Sequence, residues 1–178
     1  GPYDWVVSSC PAHQTEKLVD ENFVDLPALH QVEMQPCFTL MLGFGESVKT
    51  RWEAATCSDS PLGWLAWNHR KPGRDARTAL VALANNSWAE EHLEKPLEKI
   101  QAELEVALQE LTGIDVSKAT AVQIHRWRYA SVKTPAGRPY LFDPLLCLAA
   151  CGDWCIANRV EAAFASARSL GRRLATFT

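Results

Sequence analysis

The sequence predicts an α+β / α/β fold, in which a β-rich section with one long helix lies between two strand-and-helix segments. Apolar residues alternate with smaller or polar ones over residues 37–42, as expected for a strand. Over residues 92–111, leucine and isoleucine recur every three or four positions, as expected for an amphipathic helix. Near the C-terminus, the apolar run 145–150 precedes a Gly152-Asp153 turn and a further helical pattern.

The strand and helix order can be read along the chain. Trp5-Val6-Val7 predicts a short buried strand, and a helix is expected to start near Pro11. Strands are then expected at residues 36–42, 64–67 and 78–84, with a charged loop at residues 68–77.

The long helix, predicted over residues 92–111, follows these strands and is expected to stop at Gly113. The pattern returns to strand over residues 119–129. In the last helix, Val160, Phe164, Ala167 and Leu174 are expected to form the apolar side.

Composition restricts the function classes. The 178 residues are 47% hydrophobic and 22% charged, as in ordinary globular proteins. A formal net charge of -3 gives no reason to expect nucleic acid or an anionic membrane as a partner. The longest uncharged apolar run, residues 36–45, is too short to span a bilayer, and no signal peptide precedes it. Gly1-Pro2 is typical of a cleaved tag.

The six cysteines are expected to be reduced thiols in a cytoplasmic protein. Most lie in apolar runs, where cysteine acts as a small buried hydrophobe. Cys151 and Cys155 have no second pair at a spacing suited to zinc, so no metal site is predicted.

Asp153 is the leading candidate for ligand binding. A carboxylate that follows a strand can accept hydrogen bonds from sugar or ribityl hydroxyls. The helix after it offers free backbone N–H groups and a positive dipole end. By spacing alone, the alternative that Asp153 is only a turn or cap residue is favoured, because Gly-Asp turns are common.

Five segments resemble a known enzyme group in the same order along the chain. They are Trp5–Gln14, Asp59–Asn68, Lys71–Asp75, His125–Ala130 and Cys151–Ala163. The last segment resembles the C-terminal FAD-binding signature of flavin amine oxidases, and it is most similar to the bacterial renalase-like branch. The resemblance implies cofactor contacts from Gly152, Asp153, Trp154, Arg159 and Val160.

The resemblance also implies a domain organisation. Residues 1–33 would form part of an FAD-binding domain, residues 34–132 a substrate-binding domain, and residues 133–178 the C-terminal strand-turn-helix of the FAD-binding domain. Asn158 and Ala162 stand where the family pattern usually has glycine. The sequence contains no Gly-x-Gly-x-x-Gly, so it is interpreted as the C-terminal half of such a flavoprotein, with weak or absent FAD binding on its own.

Substrate contacts are predicted from two segments. Trp64 and Trp67 are expected to line the substrate cavity, and Arg70 or Arg74 to meet a substrate phosphate, with Arg70 as the residue to test. A solvated hairpin tip is the alternative for the loop. On the strand 119–129, alternation puts His125 and Trp127 on one face with polar neighbours, which suits a cavity wall. A structural role is the alternative for His125.

The implied activity is hydride transfer from a dihydronicotinamide-type substrate to FAD, with oxygen as the final acceptor. No acid or base is assigned, because the cofactor carries most of this chemistry. Two alternatives remain: an amine oxidase acting on a small amine or polyamine, and a non-catalytic binding or assembly module. Exposed strand edges left by a missing half predict self-association.

Overall fold

A computed structural model describes residues 3–177, so the tag-like Gly1-Pro2 lies outside the described residues. The chain divides into two units. Unit 1 comprises the described residues up to Met34 together with those from Ser131 onward, and unit 2 is Gln35–Ala130. The predicted fold class is confirmed, because both units combine sheet and helix.

Unit 2 is built on a five-stranded sheet with the order β3-β4-β5-β2-β6. Strand β2 pairs antiparallel with β5, β5 with β4, and β4 with β3. The strands are β2 (Glu33–Phe44), β3 (Ala54–Thr56), β4 (Leu62–Trp67), β5 (Ala79–Ala84) and β6 (Ala119–Thr134). Strands β2 and β6 extend past the limits of unit 2 and also contribute residues to unit 1.

Helices α3 (Asn86–Glu91) and α4 (Leu97–Thr112) follow β5 and contribute to the core on one face of this sheet. In α4, Ile100, Leu104 and Leu108 are fully buried against Phe38 and Leu40, as the periodicity predicted. The predicted helix start at residue 92 is wrong, since α3 and α4 are separate helices. Pro96 caps α4, because proline fits a helix start but not its interior.

Unit 1 contains a three-stranded sheet with the order β1-β8-β7. Strand β1 (Val6–Ser8) runs parallel to β8 (Leu148–Ala150), and β8 runs antiparallel to β7 (Leu141–Asp143). The helices are α1 (Ala12–Thr15), α2 (Leu26–His30) and α5 (Val160–Leu174). Apolar residues of α1, α2, β7 and β8 form one core with Trp154 and Cys155.

Two expectations about unit 1 are wrong. The strand Trp5-Val6-Val7 is not buried, because Val6 and Val7 are 58% and 43% exposed on an edge strand. The apolar side of α5 is also different: Ala162, Ser166 and Leu170 are buried, whereas Val160 and Phe164 are exposed. Both stripes fit helical spacing, and a hydrogen bond from the Gly152 N–H to Ser166 Oγ (3.1 Å) holds the second one inward.

None of the helices described between residues 3 and 177 is long and apolar enough to cross a lipid bilayer.

Candidate functional site

The Gly152-Asp153 turn lies between β8 and α5, as the sequence predicted. Asp153–Cys155 form a short 3₁₀ helix directly after Gly152. A Cβ added to Gly152 would lie 2.4 Å from Trp154 Nε1 and 2.7 Å from Trp154 Cδ1. The turn therefore needs glycine for space.

A hydrogen bond from Trp154 connects this turn to the segment after β1. The Trp154 side chain is 1% exposed, and its indole N–H donates to the Cys10 carbonyl at 3.0 Å. The Trp154 carbonyl in turn accepts from the Ala136 N–H at 2.9 Å. Trp154 is thus placed as a core residue beneath the turn rather than on its surface.

A second set of contacts ties the turn to α5. Besides the bond between Gly152 N–H and Ser166, the fully buried Cys155 lies beside the Ser166 hydroxyl, and its burial raises the pKa of its thiol to about 12. Cys155 therefore stays protonated, and it serves packing rather than nucleophilic chemistry.

Asp153 and the start of α5 form the part of the turn that can meet a ligand. Asp153 Oδ1 accepts from the Trp154 N–H at 2.8 Å, which leaves carboxylate lone pairs for other donors. Arg159 stands at the N-cap of α5 and is exposed, as is Val160, and no side chain caps this helix. The site thus offers a hydrogen-bond acceptor next to uncapped helix N–H groups.

The two departures from the glycine pattern have structural roles. Asn158 Oδ1 accepts from the Val132 N–H at 3.2 Å, so its side chain anchors the approach to α5. Ala162 is 3% exposed and lies on the buried side of α5.

Three of the predicted substrate residues lie on one face of the unit 2 sheet. We call this the open face, because it is the side opposite the core with α4. Strand pairing puts Trp64 beside Leu83, and Leu83 beside Thr39. Trp127 donates from its indole N–H to Thr39 Oγ1 at 3.0 Å, and the His125 and Trp127 ring centroids are 4.0 Å apart.

The other two predicted substrate residues lie elsewhere. Trp67 is on the opposite face, 1% exposed in the core, with its indole N–H bonded to Thr50 Oγ1 at 2.7 Å. Since side chains alternate along a strand, Trp64 and Trp67 cannot line the same face. Arg70 ends a 3₁₀ turn at the hairpin tip, beyond Trp67, and donates to the Trp52 carbonyl at 3.1 Å. The structure therefore does not bring Trp67 or Arg70 together with His125 and Trp127.

A cavity of about 810 Å³ lies at another part of unit 2. It is bounded by the loop after Phe44 and by residues between Thr112 and Thr120, and its rim carries exposed charges such as Lys49 and Lys118. None of the predicted site residues lines it. We treat the Gly152-Asp153 turn in unit 1 and the open face in unit 2 as two separate candidate sites, because most of the predicted site residues lie on one or the other.

Sequence reasoning missed two aspartates that organise unit 1. Asp143 is 4% exposed and accepts N–H bonds from Val24, Leu145 and Leu146, which lowers the pKa of its carboxyl. The resulting turn leaves Leu145 exposed. Strand β8 therefore begins at Leu148, whereas the apolar run predicted a strand from residue 145. Asp25 accepts from the Phe142 N–H at 2.8 Å and pairs with Arg138. The Asp143-Pro144 dipeptide was the signal for this turn.

No family model matches the chain. Solved structures match it across nearly its whole length. A candidate protoporphyrinogen oxidase from Exiguobacterium sp. 255-15 is 15% identical, with a TM-score of 0.77, over 98% of this chain and 42% of its own. Putrescine oxidase, solved with putrescine, is 13% identical, with a TM-score of 0.65 over 96% of this chain and 42% of its own. For cyclohexylamine oxidase from Brevibacterium oxydans IH-35A, the corresponding values are 12%, 0.59, 94% and 43%.

These likenesses establish the fold. The chain has the fold of one part of such oxidases, and it spans less than half the length of each matched protein.

Proposed function

We propose that this chain is the substrate domain and the flavin-closing C-terminal segment of an FAD-dependent oxidoreductase. The observation that carries the proposal is the Gly152-Asp153 turn, held by Trp154 and followed by an uncapped helix, within a fold shared with oxidases. The residues present fit the flavin, because a carboxylate and free helix N–H groups complement ribityl hydroxyls and the polar edge of the ring.

Each residue of the turn has a separate part in this proposal. Asp153 would accept hydrogen bonds from the ribityl chain, and the backbone at Arg159 and Val160 would present N–H groups to the ring. Gly152 and Trp154 would hold the backbone of the turn in the conformation that presents Asp153. Bound FAD would supply the hydride acceptor for the substrate and the route of the electron pair to oxygen, while these residues would hold it.

For the substrate, we propose a renalase-like reaction on a dihydronicotinamide dinucleotide. The support is the sequence resemblance together with an open face that presents Trp64, His125 and Trp127. Arg70 would contact a phosphate of that substrate, since its guanidinium has further N–H donors besides the one given to Trp52. The second candidate is oxidation of a small amine, which the likeness to putrescine oxidase and cyclohexylamine oxidase favours.

The test uses the full-length protein, with this chain joined to its flavin-nucleotide half. Anaerobic bleaching of the flavin is followed with a reduced nicotinamide dinucleotide, with putrescine and with cyclohexylamine. The proposal expects rapid bleaching by the dinucleotide alone; bleaching by an amine alone supports the second candidate, and no bleaching by any of them supports a binding module.

A matched pair of variants tests the turn. Asp153→Asn keeps the shape but removes the charge and one acceptor oxygen, so flavin occupancy should fall. Asp20→Asn is the control, because Asp20 is an exposed turn carboxylate that bonds only to nearby Asn22 among the contacts described. Equal flavin occupancy in the two variants would contradict the role of Asp153.

A further inference from the structure

Three hydrogen bonds form a closed network in the segment between β1 and α1. The Ser8 and Thr15 hydroxyl oxygens are 2.8 Å apart, and the Thr15 hydroxyl donates to the Cys10 carbonyl at 3.0 Å. The Cys10 N–H donates to Ser8 Oγ at 3.4 Å. Thr15 is fully buried and Ser8 is 9% exposed, so the two hydroxyls depend on partners within the protein. We call this set of contacts the hydroxyl network.

The directions of the bonds in the hydroxyl network follow from the number of hydrogens. A hydroxyl has one hydrogen to donate, and a carbonyl oxygen can only accept. The Thr15 hydrogen is donated to the Cys10 carbonyl, so Ser8 must be the donor in the bond between the two hydroxyls. Of these two hydroxyls, it is therefore Thr15 that holds the Cys10 carbonyl.

The local fold explains why Thr15 reaches back to Cys10. Pro11 caps α1, and the Thr15 N–H donates to the Pro11 carbonyl at 2.9 Å. Side chains on a helix lean towards its N-terminus, so the Thr15 side chain leans towards the residue before Pro11. Because threonine is β-branched and has few rotamers, little side-chain entropy is lost when this contact forms.

The Cys10 carbonyl also holds Trp154. The Trp154 indole N–H donates to this oxygen at 3.0 Å, so Thr15 and Trp154 together use its two lone pairs. The backbone N–H of Trp154 donates in turn to Asp153 Oδ1 at 2.8 Å. A series of hydrogen bonds through Trp154 thus connects the Thr15 hydroxyl with the Asp153 carboxylate.

We propose that Thr15 is a positioning residue for the Gly152-Asp153 turn, and that it acts on Asp153 through the Cys10 carbonyl and Trp154. This role rests on the proposed function, because Asp153 is the carboxylate that would accept from the ribityl chain. Without the Thr15 hydroxyl, the Cys10 carbonyl keeps one donor and gains freedom to rotate. The indole then moves with this carbonyl, and because it lies against Gly152, the turn moves as well.

The first experiment follows the Trp154 indole N–H resonance of the present chain by NMR. Trp154→Phe identifies the signal, because the signal is absent from that variant. Thr15→Val keeps the shape of the side chain and removes the hydroxyl, so the resonance should shift. Thr15→Ser restores the hydroxyl and should restore the resonance. An unshifted resonance in Thr15→Val, or equal shifts in the valine and serine variants, would overturn the proposal.

The matched control removes the same kind of bond from unit 2. The Thr112 hydroxyl donates to the Leu108 carbonyl at 2.6 Å, and both residues belong to α4. Thr112→Val should therefore leave the Trp154 resonance unchanged. A shift equal to that in Thr15→Val would mean that the resonance reports general loosening of the chain, and it would count against the proposal.

Two further variants keep the proposal testable if Thr15→Val does not fold. Thr15→Cys replaces the hydroxyl by a weak donor, so the Trp154 resonance should still shift, and an unchanged resonance would overturn the proposal. Ser8→Ala removes a buried hydroxyl but leaves the bond from Thr15 to Cys10, so the resonance should stay in place. A shift in Ser8→Ala as large as that in Thr15→Cys would contradict a specific role of Thr15.

The second experiment measures the Kd of the full-length protein for FAD. Thr15→Val should raise this Kd about two- to tenfold, the effect expected for loss of one neutral hydrogen bond. In the Asp153→Asn background, Thr15→Val should change the Kd by a smaller factor, because the carboxylate that it positions is no longer present. Equal fold-changes in the two backgrounds would show that Thr15 does not act through Asp153.

The outcomes separate this role from the proposed function. A full-length wild type that binds no FAD would refute the proposed function, whereas the NMR experiment would still decide whether Thr15 acts on Trp154. A wild type that binds FAD with the same Kd as Thr15→Val would refute only the role of Thr15.

Discussion

Replacing Gly152 by alanine should destabilise the chain strongly, because the new Cβ would occupy space already held by the Trp154 indole. The Cβ position is 2.4 Å from Nε1, 2.7 Å from Cδ1 and 3.2 Å from Cε2. An indole that is 1% exposed cannot turn into solvent, so either it shifts or the turn opens. Overpacking of this kind costs about 1–3 kcal/mol, and loss of the buried bond to Cys10 adds about 1–3 kcal/mol. We expect a loss of about 2–6 kcal/mol in the free energy of unfolding.

Urea unfolding of the whole chain, followed by circular dichroism, measures this loss. Gly171→Ala is the matched control, because nothing lies within 4 Å of a Cβ there and alanine favours α5 by up to about 1 kcal/mol. A double-mutant cycle with Trp154→Phe isolates the clash, since phenylalanine lacks the atom closest to the new Cβ. Gly152→Ala should cost less in the Trp154→Phe background than in the wild type. Equal cost in both backgrounds, or a loss below about 0.5 kcal/mol in the wild type, would refute the steric argument.

Four further predictions concern other parts of the chain. Asp143→Asn should lower the urea midpoint at pH 7. Because folding lowers the pKa of this carboxyl, its stabilisation is full above the unfolded value of about 3.9 and is lost as the pH falls through the lower folded-state value. The difference between wild type and variant should therefore shrink as the pH is lowered below about 3.9. If the full-length protein has the proposed activity, Arg70→Ala should raise the KM for a phosphate-bearing substrate. Arg77→Ala should not, because the Arg77 guanidinium is already paired with Asp75. An unchanged KM in Arg70→Ala rejects the phosphate contact. The isolated chain should purify without yellow colour, and FAD retained in stoichiometric amount would contradict this. The isolated chain should also self-associate, as measured by light scattering. Phe164→Glu should reduce the association, because it replaces an exposed apolar ring by a charge. A monodisperse wild-type monomer would count against this prediction.

The sequence was sufficient for β2 and α4, because alternation in β2 and the three-and-four repeat in α4 agree with local propensity. The short elements β3, β7 and α2 were not predicted, since three to five residues are too few to show a period. The sequence did not predict which side of α5 is buried, because two sets of residues had equal helical periodicity. In α5, the residues in line with Phe164 and those in line with Ser166 both fit a helix. The bond from Gly152 to Ser166 and the packing of Leu170 against Ala149 and Cys151 put the second set inside.

The candidate site was predicted in part for the same reason. Residues of one strand, such as His125 and Trp127, could be assigned to one face from alternation alone. The partnership of Trp127 with Thr39 joins positions 88 residues apart, and no local pattern contains it. Trp67 was expected beside Trp64, although a separation of three residues puts the two on opposite faces of β4.

The buried thiols of Cys151 and Cys155, which flank the Gly152-Asp153 turn, can report when this turn opens. Cys151 and Cys155 are 7% and 0% exposed, and burial raises the pKa of both thiols. A thiol reagent in solution should therefore modify them only in molecules whose turn has transiently opened. The alkylation rate of each of these two cysteines can be measured by mass spectrometry. That rate gives the frequency at which the turn opens locally. A cofactor that binds over Asp153 should lower the alkylation rate of both thiols, and this effect does not depend on which reaction the cofactor performs.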